Sequence, residues 1–142
     1  MTTGNTTLLK LALPIQGELD GTWGDVVNNS ITSLVDSAIA GTVTLAVDAD
    51  VTLTDAALVD NQSREAILRW TANGTATRNI TAPARSKVYI VVNQTAGTQN
   101  IVIRGAGPTA GVIVPPGKSA LVAWNGTDFA TIANNISSGG TF

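Results

Sequence analysis

The stretch Val43-Thr-Leu-Ala-Val47 alternates apolar residues with small or polar ones, and this period of two continues along most of the chain after residue 42. Such alternation places every second side chain on the same face of a strand, where it can contribute to a core. The pattern recurs at Val51/Leu53, Ala66/Leu68/Trp70, Val88/Ile90/Val92, Ile101/Ile103, Ile113, Leu121/Ala123 and Ile132. The sequence therefore predicts about eight short strands.

Turn signals separate these strands, and no helical pattern lies between them. Asp48-Ala-Asp50, Ala72-Asn-Gly-Thr75 and Pro115-Pro-Gly117 are typical of such turns. Short connections between strands are typical of antiparallel sheets, because parallel strands need long crossovers. We therefore predict a mainly β fold, an antiparallel β-sandwich or jelly-roll-like domain, rather than a parallel sheet.

Residues 22–40 predict one N-terminal amphipathic helix. Thr22 is placed to cap its start, and Gly41 is placed to end it in the left-handed conformation. Apolar residues recur at helical spacing along one face, at Trp23, Val26, Val27, Ile31, Leu34, Val35, Ala38 and Ile39.

The chain before this helix, residues 1–21, is predicted to be an extended arm. Pro14 and the two glycines of Gly17-Glu-Leu-Asp-Gly21 argue against a continuous helix. Its large apolar residues need burial, in the chain's own core or against a neighbouring subunit, and we favour the neighbour. The candidate partner-binding residues are Leu8, Leu9, Leu11, Leu13 and Ile15.

The predicted organisation is thus an N-terminal arm over 1–21, a helix plus β-sandwich domain over 22–133, and an extended C-terminal arm or tail over 134–142. The chain has 142 residues and only 13% charged residues, about half of the roughly 25% that is usual for soluble domains. The missing charged residues are replaced by Thr, Asn, Ser and Gly. Because charged residues are depleted where proteins bury surface against one another, we expect this chain to work in an assembly.

The residue types that are absent exclude several kinds of chemistry. Without His or Cys, the chain cannot form a Ser-His-Asp or Cys-His nucleophile, a Cys/His zinc site or a disulfide. The eight Lys and Arg residues are scattered and the net charge is −2, so we expect neither nucleic acid nor a membrane as partner. No apolar run approaches the roughly 18 residues of a membrane span. We expect no enzymatic activity, no metal and no cofactor.

Two glycine motifs resemble nucleotide-binding loops but lie in the wrong context. Gly105-Ala-Gly-Pro-Thr-Ala110 matches a dinucleotide fingerprint, yet it is followed by a predicted strand instead of a helix. Gly117-Lys-Ser119 resembles the end of a phosphate-binding loop, but Val112 stands where its first glycine is required. We interpret both motifs as turns.

Other residue pairs leave alternatives open. Glu18/Asp20 and Asp48/Asp50 have the spacing of a calcium site or a hydrolytic pair, although both fall in predicted turns, where Asp caps its own backbone. Ser86-Lys87 could be a nucleophile and its base, but neighbouring residues on a strand point to opposite faces.

The three tryptophans allow two interpretations. Trp23, Trp70 and Trp124 could form a platform on which sugars stack, as in a carbohydrate-binding module. Large aromatic residues on helices and strands more often anchor a core, and we favour that role.

Two parts of the chain resemble structural proteins of tailed bacteriophages. The first part is similar to their opening segments and contains Leu8-Leu-Lys-Leu-Ala-Leu-Pro14, Gly17-Glu-Leu-Asp-Gly-Thr-Trp-Gly-Asp-Val-Val-Asn-Asn29 and Asp36-Ser-Ala-Ile-Ala-Gly41. The second part is similar to a β-rich module of tail-fibre and capsid-associated proteins. It contains Ser86-Lys-Val-Tyr-Ile-Val-Val-Asn93, Thr95-Ala-Gly97, Ile101-Val-Ile103, Val114-Pro-Pro-Gly-Lys118 and Asn125-Gly-Thr-Asp-Phe129.

This resemblance implies a virion component, assembled in the host cytoplasm, that is commonly oligomeric and often trimeric and has no enzymatic activity. Fibre proteins with such an opening usually continue into a long shaft, and this sequence has no heptad or collagen-like repeat. We therefore expect a capsid decoration (cement) protein that binds the major capsid protein or other virion proteins and stabilises the head shell. The alternatives are a short head- or tail-fibre anchor or adaptor and a carbohydrate-binding, lectin-like module.

Overall fold

The computed structural model describes residues 3–132 of the chain. Within them, the helical segments are α1 (Trp23–Val27), a π-helical stretch (Asn28–Thr32), α2 (Ser33–Ala40) and a 3-10 turn (Gln62–Arg64). The strands are β1 (Gly4–Asn5), β2 (Ala12–Leu13), β3 (Thr42–Leu45), β4 (Val51–Thr52), β5 (Ile67–Trp70), β6 (Arg78–Thr81), β7 (Val88–Asn93), β8 (Ile101–Arg104), β9 (Val112–Val114), β10 (Ser119–Trp124) and β11 (Phe129–Thr131). The predicted mainly β class is confirmed.

Three successive passes of the chain stack on one another in parallel, and we call each pass a rung. Each rung has one strand in a five-stranded sheet and the next strand in a four-stranded sheet: β3 and β4, then β5 and β6, then β7 and β8. In the five-stranded sheet Thr42 pairs with Ile67 and Ile67 with Ile90, so equivalent positions are 25 and then 23 residues apart. The turn inside each rung carries the chain from one sheet to the other.

The last three strands reverse direction and close one side of the stack. β9 pairs antiparallel with β8, β10 with β7, and β11 with β10. The resulting strand orders are β4-β6-β8-β9 and β3-β5-β7-β10-β11, while β1 and β2 form a separate two-stranded ladder.

The prediction of an antiparallel arrangement is wrong, because four of the eight strand pairs among the described residues are parallel. The reason lies in the turns. Residues 46–50 link β3 to β4, which belong to different sheets. A turn of this length can either join a hairpin or link two sheets, and its composition is the same in both cases.

The hydrophobic core receives side chains from both sheets. Its largest fully buried apolar members are Trp70, Tyr89, Leu68, Ile80, Ile101, Ile103, Val91, Val114 and Val122. The alternation in β5 and β8 thus gives the buried face as predicted. In β7 and β10 the alternation points to the wrong face, since Val88, Ile90 and Leu121 are exposed while their neighbours are buried. Both faces of these strands are apolar, so alternation alone could not choose between them.

A buried polar network joins the three rungs at one corner. The side chain of Gln99 is fully buried, accepts a hydrogen bond from Trp70 Nε1 at 2.8 Å and donates to Asp48 Oδ1 at 2.7 Å. Gln99 belongs to the third rung, Trp70 to the second and Asp48 to the first. A Cβ atom at Gly74 would come within 2.7 Å of both Asp48 and Gln99, so the close stacking requires glycine there.

The helix is internal and follows the β1–β2 ladder, so its predicted place at the N-terminus is wrong. Leu34 is its one fully buried residue, while Trp23 and Ile39 are exposed. The side chain of Thr22 makes no cap hydrogen bond, and Gly41 is extended with φ of −76°. Gly41 leads directly into β3, and its carbonyl oxygen accepts hydrogen bonds from the next rung. None of the described helices is long and apolar enough to cross a lipid bilayer.

Candidate interaction surface

The described part of the N-terminal arm folds back on itself instead of remaining extended. β1 pairs antiparallel with β2, and the N–H of Thr6 donates to the carbonyl oxygen of Leu11 at 2.8 Å. The hydroxyl of Thr6 accepts from the N–H of Leu11 at 2.9 Å, which closes the intervening loop. The predicted C-terminal arm, residues 134–142, lies outside the described residues.

The arm is bound to its own chain through backbone carbonyl groups. Arg64 is only 2% exposed, and its Nε and NH2 groups donate to the carbonyl oxygen of Leu9 at 3.3 and 2.9 Å. Its NH1 group donates to the carbonyl oxygen of Val59. Burial lowers the pKa of Arg64, but a guanidinium group stays charged in proteins. The buried charge is therefore stabilised by carbonyl dipoles of the arm and of the loop before Arg64.

A second anchor is an ion-pair cluster around Asp55. The ammonium group of Lys10 lies 2.7 Å from Asp55 Oδ2, Arg85 contacts the same oxygen, and the hydroxyl of Ser63 donates to the other oxygen. Burial opposes ionisation of Asp55, but hydrogen bonds from these three groups outweigh it and lower the pKa of the carboxyl. The arm is thus tied to the second half of the first rung.

The apolar side chains of the arm are only partly buried by these contacts. Leu8 is 58% exposed, and Leu13 and Ile15 are each 50% exposed. Leu9 and Leu11 are half-buried. The five residues predicted as a partner-binding set therefore divide into two groups: Leu9 and Leu11 face the chain, and the other three project into solvent.

A second apolar surface lies on the outer face of the five-stranded sheet. Ile67, Ile90 and Leu121 are adjacent on three neighbouring strands, and Val88 lies two residues before Ile90 on β7. Ile90, Leu121 and Val88 are all exposed. The arm and this sheet face are thus two places where several large apolar side chains are exposed.

The glycine motif at 105 is a turn, as predicted. It joins β8 to β9, and the N–H groups of Gly105 and Gly111 donate to the two carboxylate oxygens of Asp128 at 2.9 and 2.6 Å. Burial would raise the pKa of Asp128, but backbone hydrogen bonds from Gly105, Gly111 and Phe129 lower it. The N–H of Gly105, the first glycine of the motif, is therefore already paired with a carboxylate of the chain itself.

The carboxylate pair Asp48/Asp50 has structural partners. Arg78 Nε donates to Asp48 at 2.7 Å and, together with Gln99, lowers the pKa of this carboxyl. Asp50 accepts hydrogen bonds from the backbone and side-chain nitrogens of Asn79. Both carboxylates thus join the first rung to the second, which agrees with the turn interpretation.

The remaining candidate groups do not assemble into a catalytic or sugar-binding site. Trp70 is fully buried and Trp124 packs against the core, as predicted, whereas Trp23 is exposed on the helix. The ammonium group of Lys87 donates to the carbonyl oxygens of Glu65 and Val88. Ser86 is exposed.

Sequence reasoning missed Arg64 and Asp55, which hold the arm, and the carboxylates Asp60 and Glu65, which line a cavity beside the first rung. The residues Asp60-Asn-Gln-Ser63 are typical of a turn, and charged residues in and beside a turn are expected to be solvated. The signal that could have found them is the density of charged and amide side chains in a chain otherwise poor in charge.

Comparison with known proteins finds no matching family model, and neither a curated protein nor a solved structure matches the chain.

Proposed function

We propose that this protein is a structural component of a tailed-phage virion, most specifically a capsid decoration (cement) protein that binds the major capsid protein and stabilises the head shell. The observation that carries the proposal is the arm, whose backbone is anchored by Arg64 while Leu8, Leu13 and Ile15 project into solvent. The phage resemblance of the sequence supplies the kind of partner.

The energetics favour attachment through such an arm. Burying one Leu or Ile side chain contributes roughly 1.5–3 kcal/mol, and half-exposed residues contribute correspondingly less. An arm held by its own chain loses less conformational entropy on binding than a free one. Repetition of the contact over a shell would add avidity.

In this role the protein binds other virion proteins, catalyses no reaction, and has neither nucleic acid nor a membrane as its partner. We further propose a homo-oligomer, with a trimer favoured, in which the exposed face of the five-stranded sheet supplies additional contact area. Sedimentation equilibrium of the full chain tests this point. A mass three times the 14.5 kDa of one chain is expected, and a monomer at high concentration would contradict the trimer.

The decisive experiment changes the arm's apolar side chains and leaves its anchor intact. The triple variant Leu8→Ser, Leu13→Ser, Ile15→Ser should fold normally but lose binding to head shells that lack this protein. A matched control replaces three other exposed apolar residues, Val47, Val59 and Ile113, by Ser. The control should bind as the natural chain does, and equal binding by the arm variant would refute the proposal.

Copy number per particle separates the decoration protein from a fibre anchor. A decoration protein should be present in numbers comparable to the capsid subunits, whereas a fibre anchor should match the few fibre attachment points. Binding to a glycan array tests the lectin-like alternative, and specific glycan binding would favour it over shell attachment.

A further inference from the structure

Four apolar residues form a continuous stripe across the outer face of the five-stranded sheet. Ile67 on β5 pairs with Ile90 on β7, and Ile90 pairs with Leu121 on β10. The N–H of Ile132, the residue after β11, donates to the carbonyl oxygen of Leu121 at 3.0 Å, which places Ile132 opposite Leu121. Ile90, Leu121 and Ile132 are 40%, 38% and 48% exposed. The stripe therefore crosses four neighbouring strand positions and ends at Ile132.

The row of residues beside this stripe is apolar as well. Val88 pairs with Ala123, and Ala123 pairs with Ala130. Val88 is exposed, and the two alanines are partly exposed. A contiguous apolar surface of this kind is typical of a site that another polypeptide segment covers.

The chain continues beyond the stripe through residues 133–142, which lie outside the described residues and which we call the C-terminal segment. This segment begins at the end of the stripe, directly after Ile132. An extended chain spans about 3.3 Å per residue, so Ile136 can lie up to about 13 Å from Ile132. Ile90 is two strands away from Ile132, at about 10 Å, and is therefore within reach of Ile136.

The composition of the C-terminal segment, Ala133-Asn-Asn-Ile-Ser-Ser-Gly-Gly-Thr-Phe142, suits this surface. The segment has no charged residue, so covering the stripe would remove no charge from water. Its two asparagines are typical of a turn and would allow the chain to reverse after Ile132. Ile136 and Phe142 supply large apolar side chains. Because the segment is attached beside the stripe, its effective concentration there is high.

We propose that the C-terminal segment folds back across the five-stranded sheet of its own chain and covers the stripe, with Ile136 against Ile90 and Leu121. The inference goes beyond the proposed function and does not depend on it, because the stripe and the segment belong to one chain. In the trimer proposed above, this part of the sheet face would then contact a neighbouring chain through the segment.

Disulfide trapping in the full chain tests the proposal, because the natural sequence has no cysteine. Ile136→Cys is combined with Ile90→Cys, and the reduced protein is oxidised with oxidised glutathione. A disulfide requires the two Cα atoms to approach within about 7 Å, so it forms rapidly only if the segment lies on the stripe. We expect an intrachain disulfide, detected by mass spectrometry of the non-reduced chain.

The matched control combines Ile136→Cys with Ile113→Cys. Ile113 lies on β9 of the four-stranded sheet, and β9 contacts β10 and β11. Facing sheets are about 10 Å apart, so a segment that did not bind the stripe would reach both positions. Ile113 is also the more exposed of the two targets, at 60%. If the segment covers the stripe, the disulfide with position 90 should form about tenfold faster or more.

Two outcomes would overturn the proposal. Equal rates of disulfide formation at positions 90 and 113 would mean that the segment does not lie on the stripe. A disulfide between two chains, seen as a dimer on a non-reducing denaturing gel, would mean that the segment covers a neighbouring chain instead. Leu121→Cys in place of Ile90→Cys repeats the measurement at a second stripe position, so that a folding defect in one variant does not decide the result.

Discussion

The N–H of Leu58 donates a hydrogen bond to the carbonyl oxygen of Lys10 at 3.0 Å, and both residues have positive φ, at 64° and 54°. They are the two non-glycine residues of the described chain in this conformation. Left-handed backbone costs such residues roughly 1–2 kcal/mol each. Such strain persists only where surrounding contacts enforce it. The junction between the arm and the first rung is therefore held by more contacts than this single hydrogen bond.

Arg64→Lys tests the anchor of the arm. A lysine ammonium group cannot replace the planar guanidinium that serves both Leu9 and Val59, so a carbonyl group is left without its donor. We expect a loss of about 2–4 kcal/mol in the free energy of unfolding, measured by denaturant titration. Cleavage of the arm by protease should accelerate as well.

The matched control for this prediction is Arg69→Lys. Arg69 lies on β5, is half-buried and makes no side-chain hydrogen bond to the described chain. Its replacement should change stability by about 0.5 kcal/mol or less. Equal effects of the two substitutions would show that Arg64 is not a specific anchor.

Gln99→Leu tests the corner network. Leucine has a similar size but leaves Trp70 Nε1 without its acceptor and removes a donor from Asp48. We expect a loss of about 2–4 kcal/mol in unfolding free energy. Gln94→Leu, at an exposed position in the same turn, should stay within about 0.5 kcal/mol, and a similar loss there would contradict the network's role.

Leu34→Ala tests how the helix is attached. Leu34 is the buried residue of α2, and truncating a buried leucine costs about 2–5 kcal/mol. Asp36→Ala, at an exposed position of the same helix, should stay within about 0.5 kcal/mol. Thermal unfolding followed by circular dichroism compares the two, and equal shifts in Tm would mean that the helix packs through another face.

Lys87→Met tests the pH dependence of stability. Burial lowers the pKa of Lys87 from 10.5 to about 8, so above pH 8 the unfolded chain binds more protons at this residue than the folded chain. Stability should therefore rise with pH from about 8 to 9.5 in the natural chain. This rise in stability should end at about pH 9.5, because burial raises the pKa of Tyr89. At higher pH the unfolded chain loses the Tyr89 proton while the folded chain keeps it, and this lowers the stability as pH increases.

In the Lys87→Met variant this rise should disappear. Denaturant titrations at pH 7.0, 8.5 and 9.5 provide the measurement. A rise of the same slope in the variant would assign the pH dependence to another group.

The alternating pattern predicts the strands but not their partners. It identifies Leu68 and Trp70 as buried, because the residue between them, Arg69, is charged. It cannot identify Asn93 or Gln99 as buried, because their burial depends on hydrogen bonds to residues far along the chain. Strand direction depends on the same long-range contacts, and local pattern contains no information about them.

The candidate surface was predictable in its apolar part only. The leucines of the arm are conspicuous in sequence because they form an apolar segment around Lys10 and Pro14. Arg64 gives no comparable signal, because a charged residue in a turn is usually solvated. Its burial becomes evident only when the arm has been placed beside it.

The parallel rungs also determine how the length of this molecule can change. Neighbouring strands in a sheet are about 4.8 Å apart, so each rung adds that distance along the stacking direction. A duplication of 23 to 25 residues, the observed spacing of equivalent positions, would insert a rung between the anchored arm and the closing antiparallel strands. The distance between the arm and β11 can therefore grow in steps of about 4.8 Å while both ends keep their own contacts.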